Sequence, residues 1–523
     1  MTNALTRSQQ EASNLSALLR ARNAFIWVVT QEEARVEGYL AEAAAKAGYV
    51  PMFWDVASGV VPLGGTPRGD ANDIGEVLTR IQQGTGDQRT VWVLRDLQAW
   101  ITGGGLSPAL TLRQVRNLAR NLPGAPRERA QAIIVLSPSS DIPPELQGHA
   151  TVIEWPSPDR AEVATILDGL VEAYGLDLNG ARDQAIDAAV GLSGSEVQAV
   201  YSKSLVTTKT IDPKVVSAEK KRVIAKSGVL EWLDPLPGGL AGVGGLDAVK
   251  AWAVKRHAAF TPAARAYGLP APKGILVAGI SGCGKTLLAK ALAGEWSYPL
   301  IRFDFGALKS KFVGESEGNL RKAQRTIDSL GPCIVLVDEI EKALAGATQG
   351  AADGGVSADA LGSFLSWMND RTSPAFVIAT ANDITSIVNN APELLRKGRF
   401  DEVFWVDVPT ATERVEVLNA TLRQHGRTID PLHVQAAASN CDKFTGAELA
   451  SLVPEAMFTA FADGEREVTA QDIVEAAKTV VPLADTAKEK IKSMRDWAAT
   501  RARYATTPDK VDSSKPARTI DLD

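Results

Sequence analysis

Gly279-Ile280-Ser281-Gly282-Cys283-Gly284-Lys285-Thr286 decides how the rest of this chain is read. The glycines let backbone N–H groups curl around a phosphate, and the helix that follows turns its positive end toward the same anion. Lys285 is then placed to reach the β- and γ-phosphates of a nucleotide, and Thr286 to offer its hydroxyl to Mg2+, with Leu287 following in the first helical turn. The flanks agree. Ile275–Ala278 is an apolar run preceded by Pro270, Pro272 and Gly274 and reads as a buried strand, and Leu287–Trp296 reads as a helix.

Downstream, Leu300–Phe303, Cys333–Val337, Ala375–Thr380 and Val403–Val406 read as further strands, each beside a helical segment. Strand alternating with helix predicts an α/β core, a parallel sheet between helices. Ile334-Val335-Leu336-Val337-Asp338-Glu339 is an apolar strand that delivers two acids to its C-terminal edge, where ligands bind in such sheets. Asp338 suits a water-mediated hold on Mg2+, and Glu339 suits a general base that polarises the attacking water. Asn382, at the end of the next strand, can contact both γ-phosphate and water. The plainer reading is a turn-capping residue before Asp383. From Ala411 the pattern is helical only (Ala411–Gln424, Pro431–Ser439, Ala447–Phe461, Ala470–Thr479), which predicts a small helical lid.

The first half repeats this plan. Phe25–Thr30, Met52–Trp54, Val91–Leu94, Ala132–Leu136 and Val152–Trp155 read as strands, with helices over Glu32–Lys46 and Arg160–Tyr174. Trp155-Pro156-Ser157-Pro158 parallels Val408-Pro409-Thr410-Ala411, and Gly191–Val197 parallels Lys443–Leu449. The chain therefore reads as two tandem modules of one fold; a chance recurrence of common α/β patterns is the alternative. After its first strand this half has Thr30-Gln31-Glu32-Glu33, with neither glycine nor lysine, and its counterpart of the Asp-Glu strand, Val91–Leu94, ends in Arg95-Asp96-Leu97 and lacks the second acid. It can keep the fold without the chemistry. The expected layout is a degenerate module over 1–209, a linker over 210–236, the ATPase core over 237–410, the lid and C-terminal helices over 411–504 and a disordered polar tail over 505–523.

A chain of 523 residues exceeds one core. A net charge of -6 does not favour a nucleic acid or an anionic membrane as partner. Three scattered cysteines make neither a disulfide framework nor a zinc site, and no stretch approaches the ~20 apolar residues of a membrane span. Glu11 and the lack of an Arg-rich start argue against a transit peptide, so a cytoplasmic protein is expected.

The order Gly244-Gly245-Leu246-Asp247, the phosphate loop, Lys311-Phe312-Val313-Gly314-Glu315, the Asp-Glu strand, Asn382 and Glu393-Leu394-Leu395-Arg396-Lys397-Gly398-Arg399-Phe400-Asp401 resembles AAA ATPases of the AAA+ class over Leu236–Thr479. Within that class the chain looks like the family that includes a hypothetical reading frame of plastid and cyanobacterial genomes, with a similar Pro270–Gly274 segment and a similar degenerate first half. The resemblance implies the P-loop NTPase fold, ATP and Mg2+ as ligands, and a homo-oligomeric ring, usually hexameric. It makes Arg396 and Arg399 arginine fingers for a neighbour's γ-phosphate, Asn382 the sensor, and Gly446-Ala447 with Gly244 and Gly245 the walls around the base. Phe312, Val313 and Gly314 match a pore loop. Read without the family, Arg396–Arg399 is a basic turn and Phe312 a core residue. Ile280-Ser281 and Lys397 depart from residues common in the class without touching the catalytic groups.

Two weaker signals stand beside these. Arg113, Arg116 and Arg120 form a stripe that suits an acidic partner or simply a solvated face. Cys283 is a small residue in the loop, or a thiol made acidic by the helix end. The leading expectation is an ATP-hydrolysing ring that remodels a protein partner. A regulatory switch without threading and a nucleic-acid-associated ATPase are the rivals.

Overall fold

The computed structural model describes residues 5–506 except 63–64, 66–70, 85, 87, 104, 179, 226–227, 310–312, 344–353, 372 and 397. It divides into two compact units, Met1–Lys220 and Lys221–Asp523. No helix among the described residues is long and apolar enough to cross a membrane.

The first unit holds the strands β1 (Phe25–Val29), β2 (Val50–Asp55), β3 (Gly59–Pro62), β4 (Thr90–Arg95), β5 (Gln131–Ser137) and β6 (Thr151–Glu154) in one sheet of order β3-β2-β4-β5-β1-β6. All pairs are parallel except β2 with β3. Alternation along β1 separates two cores. Phe25, Trp27 and Val29 pack with Trp54 and Trp92 on one face, while Ile26 and Val28 pack with Leu15 and Leu40 on the other. Burial on both faces is why these strands read as unbroken apolar runs.

The second unit contains β7 (Leu230–Leu233), β8 (Gly274–Gly279), β9 (Leu300–Phe303), β10 (Cys333–Val337), β11 (Ala375–Ala381), β12 (Glu402–Val406) and β13 (Arg503–Tyr504), in the order β13-β12-β8-β11-β10-β9-β7. Numbered by appearance, its five central parallel strands run 5-1-4-3-2, and so do the five parallel strands of the first unit. Register makes the repeat residue-specific. Leu276 of β8 pairs with Ala379 and Val403, and Trp27 of β1 pairs with Val135 and Val152. This register sets Pro158, not Trp155, beside the structural position of Val408-Pro409, a small shift from the sequence-based parallel.

A lid follows each sheet. In the second unit the helices Ala411–Gln424, Pro431–Ser439, Gly446–Ala462 and Ala470–Lys478 enclose their own core around Leu418, Leu452 and Ile473. Thr410, Thr445 and Thr469 open three of them with capping boxes. The first half has four helices in the same order, Arg160–Tyr174, Arg182–Ala189, Gly194–Thr208 and Pro213–Ala225, the last crossing the boundary between the units.

Three features depart from the expected layout. Residues 210–236, expected as a linker, hold that fourth helix and β7, which pairs antiparallel with β9. β3 makes a second antiparallel edge in a sheet expected to be parallel. At the chain end, Ala505 is fully buried, so order extends into the expected tail; residues 507–523 lie outside the described residues.

Candidate functional site

Strand β8 is buried throughout and ends at Gly279, from which the loop Ile280–Gly284 leads into the helix Lys285–Trp296. Gly282 has φ +79, and a Cβ there would come within 3.2 Å of the Ala447 Cβ, so both backbone shape and lid contact call for glycine. Gly284 precedes the helix without a side-chain cap. The first-turn N–H groups are therefore left for an anion. Lys285 is buried, and its Nζ donates to the carbonyls of Gly279 at 2.9 Å and Ile280 at 2.8 Å. Burial lowers its ammonium to about 8. A buried cation whose near partners are neutral carbonyls suits a phosphate.

The adjacent strands bring acids to the same edge. Asp338 follows β10, and its Oδ1 accepts from the Thr286 hydroxyl at 3.0 Å and the Thr380 hydroxyl at 2.6 Å. Thr380 in turn accepts the Glu339 N–H at 2.9 Å. Glu339 holds φ +51, an uncommon conformation for a non-glycine residue, which aims its carboxylate off the strand. Its Oε1 accepts from Asn382 Nδ2 at 2.7 Å, and its other oxygen meets Lys342. The Asn382 N–H is taken by Glu341 at 2.9 Å, and burial raises the Glu341 carboxyl. Thr380 and Glu341 escaped the sequence reading; Thr380 was legible only as the end of the strand Ala375–Thr380.

The remaining walls come from the lid and the loop before β8. Ala447 donates its N–H to the Gly282 carbonyl at 2.8 Å, tying the helix Gly446–Ala462 to the phosphate loop. A Cβ on Gly244 would stand 2.6 Å from Val417 N, so only glycine allows this loop to meet the lid helix Ala411–Gln424. Gly245 donates to Glu416 at 2.7 Å and does not line the cavity, unlike Gly244. The cavity so enclosed, about 450 Å³, takes in Ser281–Leu287, Asp338, Glu339, Asn382, Gly446 and Ala447. That size is ordinary for a nucleotide-sized ligand. No cluster of three metal-ligating side chains occurs among the described residues. Two oxygen donors, Thr286 and Asp338, nonetheless fit Mg2+, which keeps most of its shell as water and phosphate.

Residues 275–408 match the family model for the ATPase family associated with various cellular activities, AAA. Residues 11–155 and 161–227 match the N-terminal and second domains of SpoVK-like AAA ATPases. The chain is 33% identical over 496 residues to the uncharacterized AAA domain-containing protein ycf46 of Guillardia theta, covering 92% of this chain and 94% of that one. To its namesake in Pyropia yezoensis it is 34% identical over 506 residues, covering 94% and 98%. The chain belongs to the ycf46-type AAA ATPases. A further relative, the proteasome-activating nucleotidase of Aeropyrum pernix, is 34% identical over 228 residues, 42% of this chain and 54% of that one. This AAA ATPase is an ATP hydrolase with the P-loop NTPase fold.

Other sequence-derived residues of this AAA ATPase lie elsewhere. Arg396 and Arg399 do not line the cavity. Arg396 lines a second one, of about 670 Å³, with Lys255, Arg256, Lys273 and Arg501. The Nη1 of Arg399 is buried without a hydrogen-bond partner. Phe312 lies outside the described residues, and Val313 and Gly314 open the helix Val313–Ser329. Cys283 is no acidic thiol. It is 7% exposed, and burial pushes it up to about 12, outweighing the Gly446 N–H and the nearby lysine.

The counterpart in the first unit is closed by its own side chains. Only Thr30-Gln31-Glu32 separate β1 from the helix Glu33–Ala47. Glu32 accepts the N–H of Gly194, where the lid helix Gly194–Thr208 begins, and pairs with Arg35 at 2.9 Å. Arg35 also pairs with Glu162 at 3.1 Å. By register Arg95 stands where Asp338 does, bound to Glu37 at 2.6 Å and Asp55 at 2.5 Å. Asp96 keeps the Glu339 backbone, with φ +55. A fragment ending at Ala225 is accordingly expected to fold and to show no ATP binding in calorimetry; micromolar binding by that fragment would refute this account of it.

Proposed function

We propose that this ATPase works as a homo-oligomeric ring, hexameric as is usual in its class, that hydrolyses ATP at subunit junctions to remodel a protein partner chosen by the first unit. The cytoplasm is the proposed location. Within the site, Lys285 and the loop N–H groups hold phosphate, and Thr286 and Asp338 hold Mg2+, which screens phosphate charge. Glu339 takes the proton of the attacking water, positioned with Asn382. Gly244, Gly446 and Ala447 flank the base.

The observation that carries the ring reading is the placement of Arg396 and Arg399. Neither lines the cavity of its own chain, and Arg396 lines a separate one with Lys255, Arg256, Lys273 and Arg501 beside Asp401 and Glu402, so a second copy is what can bring a phosphate to them. An always-charged guanidinium that meets phosphate oxygens through two N–H groups suits that task. A protein partner is supported by the name of the Aeropyrum relative, a nucleotidase that activates a proteasome.

Arg396→Ala is expected to lower turnover by at least about 100-fold with nucleotide affinity little changed. The function is tested by mixing it with Lys285→Ala. Random mixing leaves about a quarter of junctions with both an intact loop and an intact Arg396, so part of the activity should return. Demonstrably mixed oligomers that remain inactive would exclude action between subunits.

A further inference from the structure

Glu413 is the third residue of the lid helix Ala411–Gln424, and its Oε2 accepts the Thr410 N–H at 2.9 Å in a capping box. Its other oxygen gathers two more segments. Oε1 accepts the Leu246 N–H at 2.9 Å and the Thr506 hydroxyl at 2.6 Å. One buried carboxylate thus joins the lid, the glycine loop of the core and the C-terminal segment.

That segment is held firmly. Arg503–Tyr504, as β13, pairs parallel with β12, and Ala505 donates its N–H to the Trp405 carbonyl at 2.8 Å. The Ala505 carbonyl accepts from Ala248 at 3.0 Å and Val249 at 3.1 Å, in the first turn of the helix Asp247–His257. The residue preceding that helix is Leu246, in left-handed conformation (φ +61), whose side chain has no oxygen with which to do this. The C-terminal strand therefore supplies the missing helix cap, and the next residue, Thr506, falls on the wall of the nucleotide cavity beside Gly244, Leu246 and Asp407.

A hydroxyl has one proton and two lone pairs. The Thr506 proton is committed to Glu413, which leaves only acceptor capacity for a ligand. The neighbouring N–H groups of Gly245 and Leu246 are likewise taken by Glu416 and Glu413. We propose that Thr506, delivered by the C-terminal strand, is a specificity-determining residue of the nucleotide site, accepting a hydrogen bond from a donor on the base or ribose. The inference rests on the nucleotide site proposed above. A ligand presenting a carbonyl at this point would face acceptor against acceptor, whereas the exocyclic amine of adenine or a ribose hydroxyl satisfies it.

The test is a calorimetric titration of the full chain and of Thr506→Val, Thr506→Ser and Lys285→Ala with ATP, purine riboside triphosphate, 2′-deoxy-ATP and 3′-deoxy-ATP. Valine keeps the shape and removes the acceptor, so ATP affinity should fall about fivefold, the worth of an ordinary hydrogen bond, while serine retains it. The valine penalty should vanish for the one analogue that lacks the donor, which separates the base amine from the ribose hydroxyls. A penalty equal for all four ligands would reduce Thr506 to packing and overturn the proposal, as would unchanged ATP affinity in Thr506→Val. In either case Lys285→Ala still reports on the site itself: if it binds ATP normally, the location of the site is wrong, and if it does not, only the role of Thr506 is.

Discussion

Glu339→Gln is expected to bind ATP as tightly as the unaltered protein and to hydrolyse it about 100- to 1,000-fold more slowly. The substitution is nearly isosteric. Asn382 Nδ2 lies 2.7 Å from the Glu339 carboxylate, and the side-chain carbonyl of glutamine can accept that same bond, while the ion pair to Lys342 is given up and that exposed lysine is free to turn to solvent. The left-handed backbone at φ +51 is fixed by the N–H bond to Thr380, which does not involve the carboxylate. What is lost is the ability to take a proton. Calorimetric ATP binding and single-turnover phosphate release measure the two consequences separately. Near-normal release by Glu339→Gln would move the base elsewhere, and Glu341, whose backbone-bound carboxylate accepts from Asn382, is the neighbour to substitute next.

The α/β core was legible because its signals are local. An apolar run, a glycine loop and a helix occupy consecutive residues from Ile275 to Trp296, and the acids of Asp338-Glu339 end an apolar strand. The tandem repeat was legible as a plan and became residue-specific only through register, which equates Arg95-Asp96 with Asp338-Glu339. Contacts made over long sequence separation gave no such signal. β13 is two residues long, and its pairing with β12 spans about a hundred positions, so neither periodicity nor turn chemistry marks it. Thr506 sits in a polar stretch that composition alone assigns to a tail, yet Glu413 draws it into the site. Cys283 shows the same limit in electrostatics. Lys285 close to the thiol is visible in sequence, whereas the burial that outweighs it is a property of the packed lid and loop.

Lys285→Met is expected to abolish measurable ATP binding while leaving the stability of the ligand-free protein little changed. Removing one member of a buried charge pair typically costs 2–5 kcal/mol of binding, which corresponds to an affinity loss of roughly 30- to 4,000-fold. The stability expectation follows from burial. Lys285 is 6% exposed, and the fixed partners of its ammonium are two neutral carbonyls, so the folded chain bears a desolvation cost for a charge that serves only the ligand. Methionine keeps the methylene stem packed and removes that cost at the expense of the two carbonyl bonds, so the two changes oppose each other. The measurement is a pair of melting curves with and without millimolar ATP and Mg2+. ATP should raise the midpoint of the unaltered protein by mass action and leave that of Lys285→Met unmoved, the two ligand-free midpoints agreeing within a few degrees. A preserved ATP-induced rise would deny Lys285 its phosphate role. A collapsed ligand-free midpoint would make the two carbonyl bonds a structural clasp of the loop, and the residue a pillar of the fold before a ligand for phosphate.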